Sequence, residues 1–363
     1  MRRYFMGKRR EFFAVLLIFL VAVTGVFAEG QKEAAKEPVE TINVRMSSAE
    51  IDGDFMTVWA NKFAEYMKEE TNGRVNIEVY PYGTLGGNRD IVELTQIGVT
   101  ELVSADYGWL AAFVPEVQVL SLHYIWPKER IAEVLEWVVN KGEIMPFLEE
   151  AFRKNGMVPL SIQYEGWQWL TSKPKATELA DFKGLKTRVM PSKMLVEDYR
   201  AYGMSPTPMA YGEIYSGLQT GLLDAQLQPL FANYSMGFYE VTNYFTQMYA
   251  EPFLGIPTVN MQWYDSLPAD IQKMMKDFYN NNIIESAKWI DNKHAGDREK
   301  IIAERPDIVW TEWDDEEIGK AKEMAKVVWE EKYPEISGGE NGVKALEILL
   351  KDIENAKAAL GIK

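Results

Sequence analysis

An α/β fold is predicted by three observations: short stretches that alternate with a period of two, amphipathic stretches that repeat near every four residues, and a helix-rich final third. Thr41 to Met46 sets Ile42, Val44 and Met46 against Asn43 and Arg45, the pattern of a half-buried strand. Trp59, Phe63 and Met67 then recur at helical spacing, and Asn72-Gly73 supplies the stop. Arg74 to Tyr80 alternates again through Val75, Ile77 and Val79. Strand, helix and strand in that order make a βαβ unit, which requires parallel pairing. The rhythm returns at Gly156 to Gln163, Leu185 to Met190 and Leu222 to Gln228. From Pro268 to about Ile302 the spacing of Ile271, Met275, Phe278, Ile283, Ile284 and Trp289 predicts one unusually long helix. Two more helices are predicted near Asp314 to Glu331 and Asn341 to Leu360, with no internal repeat.

The first 28 residues read as a cleaved secretory signal: Arg2, Arg3, Lys8, Arg9 and Arg10 precede an apolar run from Phe12 to Val23, and Val26-Phe27-Ala28 suits a signal peptidase. The run is shorter than the roughly 20 apolar residues of a spanning helix. Glu29 to Glu40 follows as a flexible leader. A periplasmic chain is therefore expected. It contains no cysteine, so neither a lipid anchor on a mature N-terminal cysteine nor a disulfide is available. The formal net charge is −15, and loss of the basic head makes it more negative still. Such a surface repels phosphate backbones and anionic lipid, which argues against nucleic-acid or membrane-surface partners. A local pocket can still take an anion, because a few fixed arginines and backbone dipoles set its field.

Catalytic and cofactor signatures are missing. With two histidines and no cysteine, an ordinary zinc site cannot be assembled. Gly83 to Gly87 fits neither a phosphate loop nor a dinucleotide fingerprint, and there is no nucleophile elbow. No catalytic residue, metal or cofactor is expected. Carboxylates are plentiful, but nothing marks two as a facing hydrolytic pair.

Between Asp181 and Pro229 the chain carries DFKGLKTRV and then YGMSPTPMAYGEIYSGLQTGLLDAQLQP. This region resembles the signature of the solute receptors of TRAP (tripartite ATP-independent periplasmic) transporters of the C4-dicarboxylate-binding type. TNGRVNIEVYPYGTLGGNRD upstream, and FYEVTNYF and SLPADIQK downstream, also fit, so the likeness runs from about Ile42 to Ile302. The resemblance implies a two-lobed, periplasmic-binding-protein-like fold of type II, with strands crossing between the lobes and a long helix bracing both. Applied here, lobe one comprises residues 41–165 and 254–290, and lobe two 166–253 and 291–363. The implied function is capture of a small organic carboxylate and its delivery to TRAP membrane subunits for ion-gradient-driven uptake. A sensor subunit signalling to a membrane kinase is a second reading, and a secreted hydrolase a third.

Arg188, the arginine of GLKTRV, is implied to hold the ligand carboxylate, a role that suits a planar guanidinium with paired donors. Gln228 stands where the family usually has Asn, and Leu227 where it has Glu, so the pocket is expected to differ in shape. Tyr211 matches an aromatic position flanking the ligand, although it also suits a core. Many relatives carry a second arginine upstream, where this chain has Gly166-Trp167-Gln168-Trp169. A monocarboxylate with hydroxyls or an apolar body is therefore preferred to a dicarboxylate. In a strand, Trp167 and Trp169 share one side and Gln168 the other, so either the indoles or the amide face the cleft. Arg89, Asp106, Trp109, Ser47 and Glu50 complete the candidates from lobe one, with ordinary surface or structural roles equally open to them.

Overall fold

The structure, a computed structural model, describes residues 41–362; the predicted signal and leader lie outside the described residues. Along the chain come β1 (Ile42–Ser48), α1 (Phe55–Glu70), β2 (Val75–Tyr80), α2 (Asn88–Gln96), β3 (Leu102–Asp106) and the single turn α3 (Tyr107–Leu110). A crossover through α4 (Ile131–Lys141) and α5 (Ile144–Lys154) leads to β4 (Met157–Pro159) and β5 (Gln163–Ser172). Next are β6 (Lys186–Val189), α6 (Lys193–Ala201), β7 (Ser205–Pro208), α7 (Ile214–Thr220), β8 (Ala225–Gln228), α8 (Leu230–Ser235) and β9 (Tyr244–Asn260). The chain closes with α9 (Met261–Ser266), α10 (Ala269–Asn281), α11 (Ile283–Glu304), β10 (Val309–Glu312), α12 (Asp315–Glu331), α13 (Tyr333–Ile336) and α14 (Glu340–Leu360).

The expected βαβ unit is present. β1 pairs in parallel with β2, Ile42 opposite Val75 through Ser47 opposite Tyr80, and in parallel with β3 on its other side. Between them α1 buries Phe55, Met56, Trp59, Ala60, Phe63 and Met67, and burying each large apolar side chain contributes about 1.5–3 kcal/mol. It ends where Asn72 and Gly73 adopt positive φ angles of 52° and 78°, closed by the Gly73 N–H donating to the Lys68 carbonyl at 2.7 Å.

All ten strands form one mixed sheet in the order β2-β1-β3-β9-β5-β8-β6-β7, with β4 and β10 also pairing to β9. One wing of the sheet is β2-β1-β3 and the other β8-β6-β7. The central strands β9 and β5 run antiparallel to one another and join the wings. At 17 residues, β9 reaches β3 and β4 with one half and β10 with the other. Its residues are buried almost throughout, so it shows no period of two, which is why alternation does not reveal it.

The single helix expected from Pro268 to Ile302 is instead two. α10 ends at Asn281 and α11 begins at Ile283, with Asn282 between them at φ −105° and ψ 8°. Three successive asparagines explain the break: the Asn282 side-chain amide donates to the Phe278 carbonyl at 2.7 Å, competing with the backbone ladder. α11, 22 residues long, then packs against α4 and β5 and reaches α8 on the far side, the bracing expected of the long helix. The predicted strand at Gly156 to Gln163 is likewise divided, into β4 and the start of β5.

Candidate functional site

Loops at the strand ends of both wings converge on a narrow cavity of about 10 Å³, room for little more than one water with the side chains as they stand. Ala49 and Glu50 after β1, Asn88 at the start of α2, and Asp106 and Trp109 at the β3–α3 turn come from one wing. Met190 after β6, Tyr211 and Gln228 come from the other, and Phe253 of β9 completes the wall. Every one of these side chains except Ala49 is polar, aromatic or a thioether, a lining suited to a small ligand with both polar and flat apolar parts.

Arg188 lies beside this cavity and is 1 % exposed. β6 holds it in place, with Thr187 and Arg188 paired to Ala225 and Gln226 of β8. Its Nε donates to the Met209 carbonyl at 3.1 Å, while Nη1 and Nη2 are buried with no partner among the described residues. Burial pulls its pKa down to about 10, opposed by the charge of Asp106. A guanidinium with two buried, unpaired nitrogens is unfavourable on its own, and a carboxylate offers the matching acceptors.

The opposite wall is acidic. The Asp106 side chain accepts from the N–H groups of Gly108 at 2.8 Å and Trp109 at 3.3 Å, capping α3, and burial raises its pKa to about 7 against the pull of those bonds and of Arg188. Glu50 Oε2 accepts from the Met56 N–H at 2.7 Å, but its Oε1 and both oxygens of fully buried Glu165 have no N–H or O–H partner. Burial pushes both carboxyl groups up; the charge of Asp54 adds to the rise of Glu50 and that of Glu50 to the rise of Glu165, while a hydrogen bond from Glu165 draws Glu50 back down. Asp54, raised by burial, stands near, with Ser235 donating to it at 2.6 Å and the Lys293 ammonium 3.6 Å away.

Of the residues singled out in the sequence, Glu50, Asp106, Trp109, Tyr211 and Gln228 meet on the cavity wall, with Arg188 beside them. Gln168 is buried with Oε1 unpaired, next to Tyr107 behind the cavity. The indoles are not on the wall. Trp167 packs edge-on to Tyr249, and Trp169 packs against Trp310 in a separate cluster, because register shifts in the β5–β9 pairing send the two apart. Arg89 is exposed, its guanidinium over the Phe113 ring; it lies one residue round the helix from Asn88, which takes the inward position with Oδ1 unpaired. Ser47 is buried within β1 rather than on the wall. Asn88, Met190, Phe253 and Glu165 escaped the sequence reading. In the GGNRD run it is Asn88 rather than Arg89 that faces the cavity, and Phe253 sits on the strand that alternation does not reveal.

Residues 46–335 match the family described as bacterial extracellular solute-binding protein, family 7. The ectoine/5-hydroxyectoine-binding periplasmic protein of Ruegeria pomeroyi is 31% identical over 90% of this chain and 95% of its own. Among solved structures, the periplasmic ectoine-binding protein of the TeaABC TRAP transporter of Halomonas elongata superposes with a TM-score of 0.80 at 30% identity, covering 86% of this chain and 99% of that one. A TRAP periplasmic solute-binding protein from Desulfovibrio salexigens with bound orotic acid gives 0.82 at 24% identity, over 87% and 100%, and supports the fold alone. The fold is thus the two-lobed one of these receptors, whose members are periplasmic and bind substrates rather than transform them. With the match spanning most of the described residues, the chain belongs to family 7 of the bacterial extracellular solute-binding proteins, the receptors that bind small organic solutes for TRAP transporter membrane subunits.

Proposed function

We propose that this receptor captures a compact monocarboxylate that also carries a cationic or hydrogen-donating centre and an apolar body. The observation that carries the reading is the pair of unpaired, buried Arg188 nitrogens beside a cavity whose facing wall presents Glu50 and Asp106. A carboxylate would pair with the guanidinium, a donor centre with the carboxylates, and the apolar body would rest against Trp109, Tyr211 and Phe253. A second ligand carboxylate would meet acidic side chains instead of an arginine, which disfavours simple dicarboxylates. Ectoine, the ligand named for two relatives, has the required pairing of carboxylate and cationic amidine and is the first compound to test.

In this reading residues 41–165 and 254–290 form lobe one, residues 166–253 and 291–363 form lobe two, and the chain works in the periplasm after its signal is removed. The contact residues are Arg188, Gln228, Tyr211, Glu50, Asp106, Trp109 and Asn88. Isothermal titration of ectoine, 5-hydroxyectoine, succinate and D-glucuronate against the purified protein tests the specificity. Binding of an ectoine with succinate silent is the expected result, and preferential binding of succinate would overturn the claim.

A further inference from the structure

Glu251 sits where the two central strands fall out of step. Trp167 pairs with Pro252 and Trp169 with Gln247, so β9 advances five residues while β5 advances two. The surplus includes Tyr249, which adopts a φ of 51°. Within this irregularity Glu251 is 1 % exposed and accepts two hydroxyl bonds, from Tyr107 at 2.8 Å and Tyr199 at 2.6 Å. Tyr107 follows β3 on one wing of the sheet, and Tyr199 lies on α6, between β6 and β7, on the other.

A third buried group joins them. His123, from the crossover between β3 and β4, has Nε2 3.7 Å from a Glu251 oxygen and Nδ1 2.8 Å from the hydroxyl of Tyr202, the residue that caps the C-terminus of α6. Asp198 of α6 is buried with both oxygens unpaired, and its charge acts on the imidazole. Asp106, Tyr124 and Glu197 also face this cluster, and Gln168 approaches Tyr107. None of Glu251, His123, Asp198, Tyr107, Tyr199 or Tyr202 lines the cavity, although Tyr107 follows Asp106 directly and Glu251 is two residues from Phe253.

We propose that Glu251 is a positioning residue for solute capture: with His123 and Asp198 it forms a latch between the two wings that takes up a proton when the cleft closes. A carboxylate held by one phenol from each wing loses a bond when the wings part. Two buried carboxylates beside one imidazole are tolerable only with a proton added, because uncompensated charge is heavily penalised away from water. In this structure, where Glu251 holds a phenol from each wing, burial raises the Asp198 pKa to about 7. For His123 burial opposes protonation, but the charges of Asp198 and Glu251 outweigh it and the pKa rises. Groups whose pKa is higher in the closed form favour that form at low pH, and the advantage fades as pH rises through about 7. Opening would return both groups towards ordinary values, so closure and protonation are linked.

The test requires no knowledge of the solute. The chain has no cysteine, and the Gly212 N–H of one wing donates to the Tyr82 hydroxyl of the other at 3.1 Å. In a Tyr82→Cys, Gly212→Cys background, a short bifunctional thiosulfonate traps the closed form even when it is rare. Tyr199→Phe, which removes one hydroxyl and keeps the ring, should trap about tenfold more slowly, as should Glu251→Gln. The trapping rate of the intact latch divided by that of His123→Gln should fall several-fold between pH 6 and pH 8, a ratio from which thiol ionisation cancels. Folding is checked by circular dichroism, with Tyr107→Phe replacing Tyr199→Phe should the latter not fold. Unchanged trapping in the folded phenylalanine variant, or a ratio that ignores pH, would overturn the proposal.

Discussion

Gly108 and Met190 meet across the cleft so closely that a Cβ placed on Gly108 would lie 2.7 Å from the Met190 sulfur. Gly108 belongs to the turn capped by Asp106, and Met190 follows Arg188 on the other wing. The absent side chain lets the acidic wall and the arginine strand approach. Gly108→Ala should therefore weaken ligand binding by about tenfold, since the Met190 thioether can swing aside but its Cβ, 3.0 Å away, can yield only if the two wings move slightly apart, and should lower the melting temperature of the free protein by no more than a few degrees. Calorimetric titration against scanning of the unliganded protein separates the two.

Replacing Arg188 by methionine should have opposite effects on binding and on stability. The ligand loses its charged partner, for an expected loss of about 2–5 kcal/mol of affinity. The free protein loses a buried cation with two unpaired nitrogens, so its urea midpoint should rise. A fall in both would show that Arg188 serves the fold and not the ligand.

Asn88 offers a cleaner contact. Its Oδ1 is buried on the cavity wall without a protein partner, so Asn88→Leu should lower affinity about tenfold while leaving stability unchanged or improved. Arg89→Ala, one residue away and exposed, should leave affinity unaltered at moderate salt. The pair of titrations distinguishes the inward from the outward neighbour.

His294 gives the fold a defined acid sensitivity. Its ring stacks on Phe231 at 5.8 Å and fills the space above Gly166, where φ is +100° and a Cβ would overlap the imidazole. Burial lowers its pKa to about 3, so the folded chain keeps it neutral where the unfolded chain protonates it near 6.5. The stability it allows is present above pH 6.5 and is lost as pH falls towards 3, at up to about 1.4 kcal/mol per pH unit. The difference in unfolding free energy between the wild type and His294→Gln should shrink over that range. Gly166→Ala should destabilise the protein at every pH by several kcal/mol, on the order of a severe core defect.

Local chemistry made part of this protein legible in one dimension. The alternation from Ile42 and from Val75, the helical repeat of Trp59, Phe63 and Met67, and the GLKTRV and MAYGEIY runs each depend on neighbours along the chain. They gave the α/β class, the family likeness, and Arg188, Tyr211 and Gln228 as candidates. β9 was hidden because pairing on both edges and cover on both faces erase the alternation that marks a half-exposed strand.

Residue order by itself determined the half-exposed elements that open the chain, with their periodicity, and the arginine strand. Tertiary structure alone decided that Asn88 rather than Arg89 turns inward, that Trp167 and Trp169 part company, and that Glu251, His123 and Asp198 are gathered from β9, a crossover and α6. The physical reason is that burial and unpaired polar atoms belong to positions in space, produced by pairings between residues more than a hundred apart along the chain in cases such as Tyr107 and Glu251. No local pattern encodes them.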